Sequence, residues 1–493
     1  MDKKRDLRFV VIGAGMAGIL SGIKLLEAGF SNICIYEKAD NVGGTWRENT
    51  YPGLTCDVAA HAYTYSFEPN PDWSHYLAGG GEIQAYFERT TAKYGIDKLI
   101  RFNEEIRRCE FSRGRWQIET HSGTKDEADV VIAATGVLHM PSYPDIKGWE
   151  SFSGAMFHSA RWDHSVALDG KRVGVIGTGS TGVQIVSALS SRARKLSHFQ
   201  RSAQWIMPVE NPAFSEDEKA AFRQDAALLK HMQNEPIYTE AVNRFSRAIS
   251  QPDSEDMREI EAIVLQNLED SVEDPKLREK LRPNYRAACK RLVYSPDYYQ
   301  AIQRHNVSLV SDDIECIESK GVRTVDGQLH EFDVLVMATG FQVDRFMRPM
   351  EIMGRDGTTL EQAWAKGPNA YMSISIPEFP NLFMLNGPNG PVGNFSLIEI
   401  AEYQWHYISQ LIELIDSGEC REVSASAQAL ADFDRERVAA AKQTIFGSGC
   451  KSWYLDSEGV PATWPWDRQR FFDEMATPRL EAYDLVEVSI EAA

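Results

Sequence analysis

Four short apolar runs along the chain have the pattern of strands that are buried on both faces. The runs at 9–12 and 172–176 each lead into a G-x-G-x-x-G turn, and an apolar helical pattern follows each turn. Two later runs, which begin at Asp129 and Asp333, share the pattern D-V-x-[IV]-x-A-T-G and end in small residues. This repetition predicts two similar α/β units, with the second inserted into the first.

The glycine-rich turns indicate what these units bind. A single G-x-G-x-x-G is a weak signal, but a strand before it and a helix after it make the motif specific. Glycine lets the backbone approach a pyrophosphate closely, and the first N–H groups of the helix are free to bind it. We therefore predict two Rossmann-like dinucleotide-binding domains.

Charged residues at matching offsets predict which dinucleotide each domain binds. Glu37 follows Gly13 by 24 residues, and Arg201 follows Gly177 by 24 residues. Near the end of the second strand a carboxylate accepts bonds from free ribose hydroxyls, whereas a guanidinium pairs with a 2′-phosphate. The first domain is predicted to bind a dinucleotide with a free ribose, such as FAD, and the second to bind NADPH rather than NADH, with Ser202 as an extra donor.

A long region without glycine separates the two halves of the second domain. None of the 35 glycines lies between Gly182 and Gly321, and 215–218 reads as a helix capping box. We predict a mostly helical insertion there. The predicted domains are 1–145 (FAD-binding, first part), 146–208 (NADP-binding, first part), 209–294 (helical insertion), 295–379 (NADP-binding, second part) and 380–493 (FAD-binding, second part).

Composition and charge limit the partners and the cellular compartment that we expect for this protein. The net charge of −19 over 493 residues argues against a nucleic-acid or anionic-membrane surface. No apolar run reaches the roughly 18 residues that a membrane span needs. The seven cysteines are odd in number and none are close in sequence, which argues against a disulfide framework, a zinc site or a paired redox centre. A reduced, cytoplasmic protein is expected.

The amino terminus has a second interpretation. Lys3, Lys4 and Arg5 precede an apolar run that starts at Phe9, as in a signal peptide. The glycine-rich turn that starts at Gly13 favours a first β-strand instead.

Residues 152–163 carry a more specific signal. They read F-S-G-A-M-F-H-S-A-R-W-D and match F-x-G-x-x-x-H-x-x-x-W, followed by Pro or Asp, at every defined position. This is the fingerprint of the type I Baeyer–Villiger monooxygenases, which the chain resembles over nearly its whole length. The resemblance continues through G-G-T-W at 43–46, Y-P-G at 51–53, C-D at 56–57, Q-R-S at 200–202, K-R at 290–291 and K-S-W-Y at 451–454.

The resemblance implies a mechanism. In the family, NADPH reduces FAD, O₂ adds at the flavin C4a position, and the peroxyflavin attacks a ketone; the Criegee-type adduct rearranges to an ester or lactone. FAD carries this chemistry and the protein orients it. By resemblance, Arg291 is the fixed cation beside the peroxide, and Asp57 is the carboxylate that orients it. His158, within the fingerprint, is expected at the link between the two domains and has no chemical step.

The resemblance also implies the cofactor contacts. Trp453 is expected to close over NADP from a mobile loop, and Lys290 to assist there. The complete predicted set comprises Gly13, Gly15, Met16, Ala17, Gly18, Glu37, Gly44, Thr45, Trp46, Thr55, Cys56, Asp57, Val58, Tyr63, Thr135, Thr178, Gly179, Ser180, Thr181, Gly182, Gln184, Arg201, Ser202, Lys290 and Trp453.

Three alternatives remain open. A flavin monooxygenase that oxidises nitrogen or sulfur shares both glycine motifs, but the Asp57/Arg291 pair and the fingerprint argue against it. A pyridine nucleotide-disulfide reductase needs paired cysteines beside the flavin, and the cysteine spacing argues against such a pair. A non-enzymatic flavoprotein would not need a set of charged active-site residues.

The sequence limits the substrate only to a hydrophobic ketone, linear or cyclic, used together with O₂. Candidate pocket residues are Trp205, Met207, Phe214, Phe341 and Phe446. A monomer or small homo-oligomer is expected.

Overall fold

The structure, a computed structural model, describes residues 6–393 and 395–487. The basic residues at 3–5 lie outside this range. Among the described residues, no helix combines the length and apolar character needed to cross a bilayer.

The first parallel sheet is built around the first glycine-rich turn. Its strand order is β19 (Leu382–Met384), β7 (Val130–Ala133), β1 (Phe9–Ile12), β2 (Ile33–Tyr36) and β3 (Ile100–Arg101). All residues of its three central strands are buried, as the uninterrupted apolar runs require.

The second parallel sheet repeats this arrangement around the second turn. Its strand order is β13 (Val307–Val310), β10 (Lys195–Phe199), β9 (Arg172–Ile176), β17 (Val334–Met337) and β8 (Ala155–His158). All of its strands fall between β7 and β19 of the first sheet along the chain. The predicted fold class, with one dinucleotide-binding domain inserted in the other, is confirmed.

Four smaller sheets complete the strands. They comprise β18 (Glu351–Met353), β4 (Ile106–Ser112), β5 (Arg115–Thr120) and β6 (Lys125–Ala128); β14 (Ile314–Glu318), β15 (Gly321–Thr324) and β16 (Leu329–Glu331); β11 (Ile206–Met207) with β12 (Val293–Tyr294); and β20 (Glu422–Ala425) with β21 (Tyr483–Val486).

One predicted boundary disagrees with this packing. The sequence assigned 295–379 to the second domain, yet β18 pairs with β4, and Ile352, Leu360 and Trp364 pack into a core with strands of the first sheet. Residues from about Met347 onward therefore pack on the first unit. β18 has only three residues, Glu-Ile-Met, so the sequence carries no strong strand signal there.

Helices cover the outer faces of the sheets and form the insertion. They are α1 (Met16–Glu27), α2 (Thr45–Glu48), α3 (Gly80–Lys93), α4 (Ser180–Leu189), α5 (Glu216–Gln224), α6 (Ala226–Gln233), α7 (Pro236–Ser250), α8 (Glu255–Ser271), α9 (Pro275–Leu281), α10 (Tyr298–Ile302), α11 (Leu360–Ala363), α12 (Leu397–Ser417), α13 (Ala427–Ala441) and α14 (Arg468–Met475). The predicted capping box is present: Ser215 Oγ accepts from Glu218 N, and the Glu218 carboxylate accepts from Ser215 N.

The cysteines depart from the sequence-based expectation at one pair. Cys289 and Cys450 form a disulfide across 161 residues, with Cα atoms 6.2 Å apart. The other five cysteines are free thiols. Separation along the chain says nothing about this pair, because the tertiary fold of the insertion and the carboxyl-terminal segment brings the two together.

Candidate active site

A cavity of about 1930 Å³ lies where the carboxyl ends of the two parallel sheets face each other. Its walls come from both sheets, from α7 of the insertion, and from loops near 385–397 and 446–454. Ligands of open α/β sheets bind at this edge, because the helix N-termini and the free strand ends converge there.

The first glycine-rich turn is tightly packed against the sheet. Gly13 has φ +101°, and a Cβ there would lie 2.7 Å from Ala134 O. A Cβ on Gly18 would overlap Gly13 O, while the Cα of Gly44 would be 3.5 Å from a Cβ on Gly15. Gly13 and Gly18 therefore have no room for side chains, and the glycines of the turn present bare backbone.

Glu37 lies beside this turn, as its offset predicts. The strand register pairs Ile12 with Tyr36, so the residues that follow them are neighbours. The Glu37 carboxylate accepts from Ala14 N at 2.8 Å and pairs with Arg47 at 3.0 Å. It is 5% exposed and that exposure faces the cavity. Oε1 also accepts from Ala39 N at 2.9 Å, so one lone pair, on Oε2, remains for a hydroxyl donor.

The second glycine-rich turn is packed like the first, but the charged residue beside it lies one position further along the chain. A Cβ on Gly182 would overlap Gly177 O, as at Gly18. Ile176 pairs with Phe199, so Gln200 is the structural counterpart of Glu37, and Arg201 lies one residue further on. The equal sequence offsets therefore do not mark equivalent positions. Arg201 nevertheless lines the cavity.

Two cations gather at this end of the cavity. Lys290 Nζ donates to Ser202 Oγ at 2.8 Å, and burial and the nearby Arg201 charge lower the pKa of Lys290. Within residues 6–393 and 395–487, neither Arg201 nor Lys290 has an ion-pair partner. Two unpaired cations beside a hydroxyl make an anion site.

Arg291 and Asp57 meet deeper in the cavity. Arg291 Nη2 donates to Asp57 Oδ2 at 2.6 Å, across 234 residues of sequence. The Asp57 charge raises the pKa of Arg291 further above its usual range. The two side chains are 35% and 23% exposed, and both line the cavity. The guanidinium is thus a permanent cation with donors left over for a ligand.

The segment that carries Asp57 is fixed to both units. Gln184, on the helix after the second turn, donates to Thr55 O at 3.1 Å and accepts from Tyr51 Oη at 2.9 Å. On the other side Trp46 Nε1 donates to Tyr63 Oη at 3.1 Å. Residues 51–63 therefore form a bridge between the two dinucleotide-binding turns.

The structure places nearly all predicted site residues on one cavity wall or another. All of them line the cavity except Gly18 and Gly182, which pack the helices against the turns behind it. Of the five candidate pocket residues, Phe341 and Phe446 line it. Trp205, Met207 and Phe214 pack against hydrophobic cores and do not line this cavity, which is the other position that the sequence left open for each of them.

Sequence reasoning missed several lining residues. Tyr454 is 4% exposed and its hydroxyl lies beside the Arg291 guanidinium, since a Cβ on Gly393 would be 2.3 Å from Tyr454 Oη and 2.9 Å from Arg291 Nη1. Tyr238 of α7 is a lining residue of the insertion. The glycine-rich run at 387–393 is the sequence signal that could have indicated this wall.

The 152–163 segment lies at the edge of the second sheet. His158 Nε2 lies 3.1 Å from Gly340 O, and burial lowers the pKa of His158 to about 4. The neighbouring His164 reaches Thr50 of the first unit at 2.8 Å, and Arg161 pairs with Glu48 at 3.6 Å. The segment thus connects the two units without lining the cavity.

Comparison with known proteins identifies this architecture. Residues 6–347 match the model of the family described as flavin-binding monooxygenase-like. A Mycobacterium tuberculosis protein named an uncharacterized monooxygenase is 44% identical, over 96% of this chain and 95% of its own length. A Streptomyces coelicolor protein named a Baeyer-Villiger monooxygenase is 35% identical, over 97% and 93%.

Solved structures agree with these relatives. A steroid monooxygenase bound to NADP superimposes with a TM-score of 0.87 at 27% identity, covering 98% of this chain and 100% of its own. Cyclohexanone monooxygenase from Rhodococcus sp. Phi1, bound to NADP⁺, gives 0.87 at 28% identity, covering 98% and 99%. The chain therefore belongs to the flavin-binding monooxygenase-like family, on its Baeyer–Villiger branch.

Proposed function

We propose that this chain is an NADPH- and FAD-dependent Baeyer–Villiger monooxygenase, which inserts one oxygen atom of O₂ beside a ketone carbonyl to give an ester or lactone. The observation that carries the proposal is the Arg291–Asp57 ion pair between the two dinucleotide-binding turns. When bound, FAD takes electrons from NADPH and activates O₂. The residues of the chain bind the two cofactors, orient them and stabilise the charge that develops.

The first unit fits FAD. Its turn offers backbone N–H groups and no side chains where the pyrophosphate would lie, and Glu37 has acceptor capacity where ribose hydroxyls would reach. The bridge at 51–63, with Trp46 and Tyr63, lines the path toward Asp57.

The second unit fits NADPH. Its turn repeats the bare backbone, and Arg201, Ser202 and Lys290 form the anion site at the position where a 2′-phosphate would sit. NADH lacks that phosphate, so the two unpaired cations support a preference for NADPH.

Arg291 is the residue we assign to charge stabilisation. Oxygen transfer to a carbonyl develops negative charge on oxygen, and a fixed donor in a closed cavity stabilises it far more than water would. A guanidinium does not lose its proton, and Asp57 fixes its direction at 2.6 Å. Asp57 is thus a positioning residue for Arg291.

The insertion supports an apolar ketone as substrate. Ala241, Val242 and Phe245 of α7 line the cavity together with Phe446 and Phe395. Such a wall binds hydrocarbon and leaves the carbonyl to the few polar groups available. We also propose a cytoplasmic protein that is a monomer or small homo-oligomer, and its charge of −19 supports the absence of a nucleic-acid partner.

The test uses the purified FAD-loaded enzyme with NADPH, a panel of cyclic and linear ketones, and ¹⁸O₂. We expect esters or lactones that carry one ¹⁸O. Arg291→Ala should lower ester formation by about 10²-fold or more, while anaerobic reduction of the flavin by NADPH persists. Arg192→Ala, at an exposed ion pair with Asp169, is the control and should behave as wild type. Oxidation of amines or sulfides without any ketone product would overturn the proposal.

A further inference from the structure

The Cys289–Cys450 disulfide joins two parts of the proposed active site. Cys289 lies two residues before Arg291, and Cys450 lies three residues before Trp453. The bond therefore links the segment that carries the cation to the 448–456 loop, which lines the cavity through residues 451–454.

A second contact closes a ring with this bond. Tyr454, four residues after Cys450, is buried with its hydroxyl beside the Arg291 guanidinium, since a Cβ on Gly393 would lie 2.3 Å from Tyr454 Oη and 2.9 Å from Arg291 Nη1. Its ring stacks on Trp453, with centroids 4.2 Å apart, and lies 4.2 Å from the ring of Phe446. The 448–456 loop is thus held on the Arg291 segment by the disulfide and by the packing of Tyr454, and Trp453 lies between these two points in the sequence.

The two sulfurs differ in access. Cys289 is fully buried in a core with helices of the insertion, while Cys450 is partly exposed at the edge of that core. A reductant therefore reaches the bond at Cys450. Among the described free cysteines Cys316 is partly exposed, and the other four are buried.

We propose that Cys289 and Cys450 form a reversible redox site that locks the 448–456 loop over the nicotinamide end of the cavity. With the bond closed, Trp453 and Tyr454 stay in place and NADP⁺ is retained. With the bond open, the loop keeps only noncovalent contacts, such as the packing of Tyr454 on Phe446, so NADP⁺ dissociates faster and electrons from NADPH leave as hydrogen peroxide. Only this last effect rests on the proposed function.

Each direction of the reaction needs one co-reactant: a dithiol opens the disulfide, and hydrogen peroxide closes it. A thiolate of a small or protein dithiol attacks Cys450 Sγ, the S–S bond breaks, and Cys289 leaves as the thiolate. The second thiol of the reductant then displaces Cys450, and the reductant becomes a disulfide. For closure, the Cys450 thiolate attacks hydrogen peroxide to give a sulfenic acid and hydroxide. The Cys289 thiolate then displaces hydroxide from that sulfur.

The experiment compares the FAD-loaded enzyme before and after dithiothreitol, which is then removed. Differential alkylation and mass spectrometry count thiols at positions 289 and 450. NADP⁺ affinity and deuterium exchange of residues 448–456 are measured without turnover. We expect two new thiols, faster exchange in the loop, and NADP⁺ binding weakened about tenfold, which is a typical coupling between two sites.

Matched variants separate the site from general thiol effects. Cys450→Ser should resemble the reduced wild type in every readout and should not respond to dithiothreitol. Cys316→Ser should behave as wild type. If thiols appear at 289 and 450 while exchange and NADP⁺ affinity stay constant, or if no thiols appear under native conditions, the proposal is wrong. An enzyme that oxidises no ketone but passes these tests would refute only the proposed function.

Discussion

Arg201 and Lys290 illustrate how single residues select a cofactor. Both are cations without a carboxylate partner among the described residues, and both face the cavity beside Ser202. Arg201 is exposed and Lys290 half-buried, so both are open to an anionic ligand that enters this end of the cavity. The preference for NADPH is therefore a property of these side chains, separate from the turn that holds the pyrophosphate.

Replacing Arg201 tests this assignment directly. Arg201→Ala should raise the KM for NADPH about tenfold to 100-fold, the loss expected for one hydrogen bond to a charged group. The KM for NADH should stay nearly constant, since NADH offers no phosphate at this position, so NADH is the internal control. Steady-state kinetics with both nucleotides give the ratio. An equal rise for both would mean that Arg201 supports the fold of the turn.

Among the secondary-structure elements, α5 shows that a capping box in the sequence can determine where a helix begins. Its capping box satisfies backbone donors at the exposed start of the insertion, with both reciprocal bonds present. α5 packs on α6, and Phe222 is its one buried side chain, which lies against His61. The cap is therefore a large share of what stabilises this helix.

Removing the cap should destabilise the insertion and leave the chemistry alone. Ser215→Ala should cost about 1 kcal/mol in helix stability, measured as faster cleavage by a protease within residues 209–233. Ser215→Thr, which keeps the hydroxyl, is the control. Unchanged cleavage would show that tertiary contacts alone hold α5. The rate of ketone oxidation should be the same in all three proteins.

At the scale of the whole molecule, buried histidines link stability to pH. Burial lowers the pKa of His61, His158 and His198 to about 4 in each case. In the unfolded chain each titrates near 6.5. Between these pH values the histidines are protonated in the unfolded state and neutral in the folded state. Their burial therefore costs no stability above about pH 6.5, and the free energy of unfolding falls as the pH drops toward 4.

His61 offers a clean test of this linkage. It lies between the rings of Phe214 and Phe222, at 5.1 and 4.9 Å, and neither ring nitrogen has a hydrogen-bond partner in the described structure. Lowering the pH from 7 to 5 should cost about 2 kcal/mol through His61. His61→Phe should unfold with a shallower dependence of its midpoint on pH. The same slope in both proteins would contradict the prediction.

The sequence predicts those parts of this molecule that are local. Both glycine-rich turns, the strands before them and the capping box follow from patterns within a dozen residues, so they could be read directly. Cys289 and Cys450 could not, because 161 residues separate them. The contact of Tyr454 with Arg291 was missed for the same reason. Strand β18 is too short for its sequence pattern to predict it. The one-residue shift at Arg201 becomes visible only in the register of β9 and β10.

The nesting of one sheet inside the other has a consequence for synthesis on the ribosome. Strand β19 completes the first sheet by pairing with β7, and it emerges nearly 250 residues after β7. All five strands of the inner sheet lie between the two and emerge first. A nascent chain that has just cleared residue 340 therefore carries a finished inner sheet beside an outer sheet whose β7 edge is still open. That edge presents unpaired backbone groups until β19 has been made.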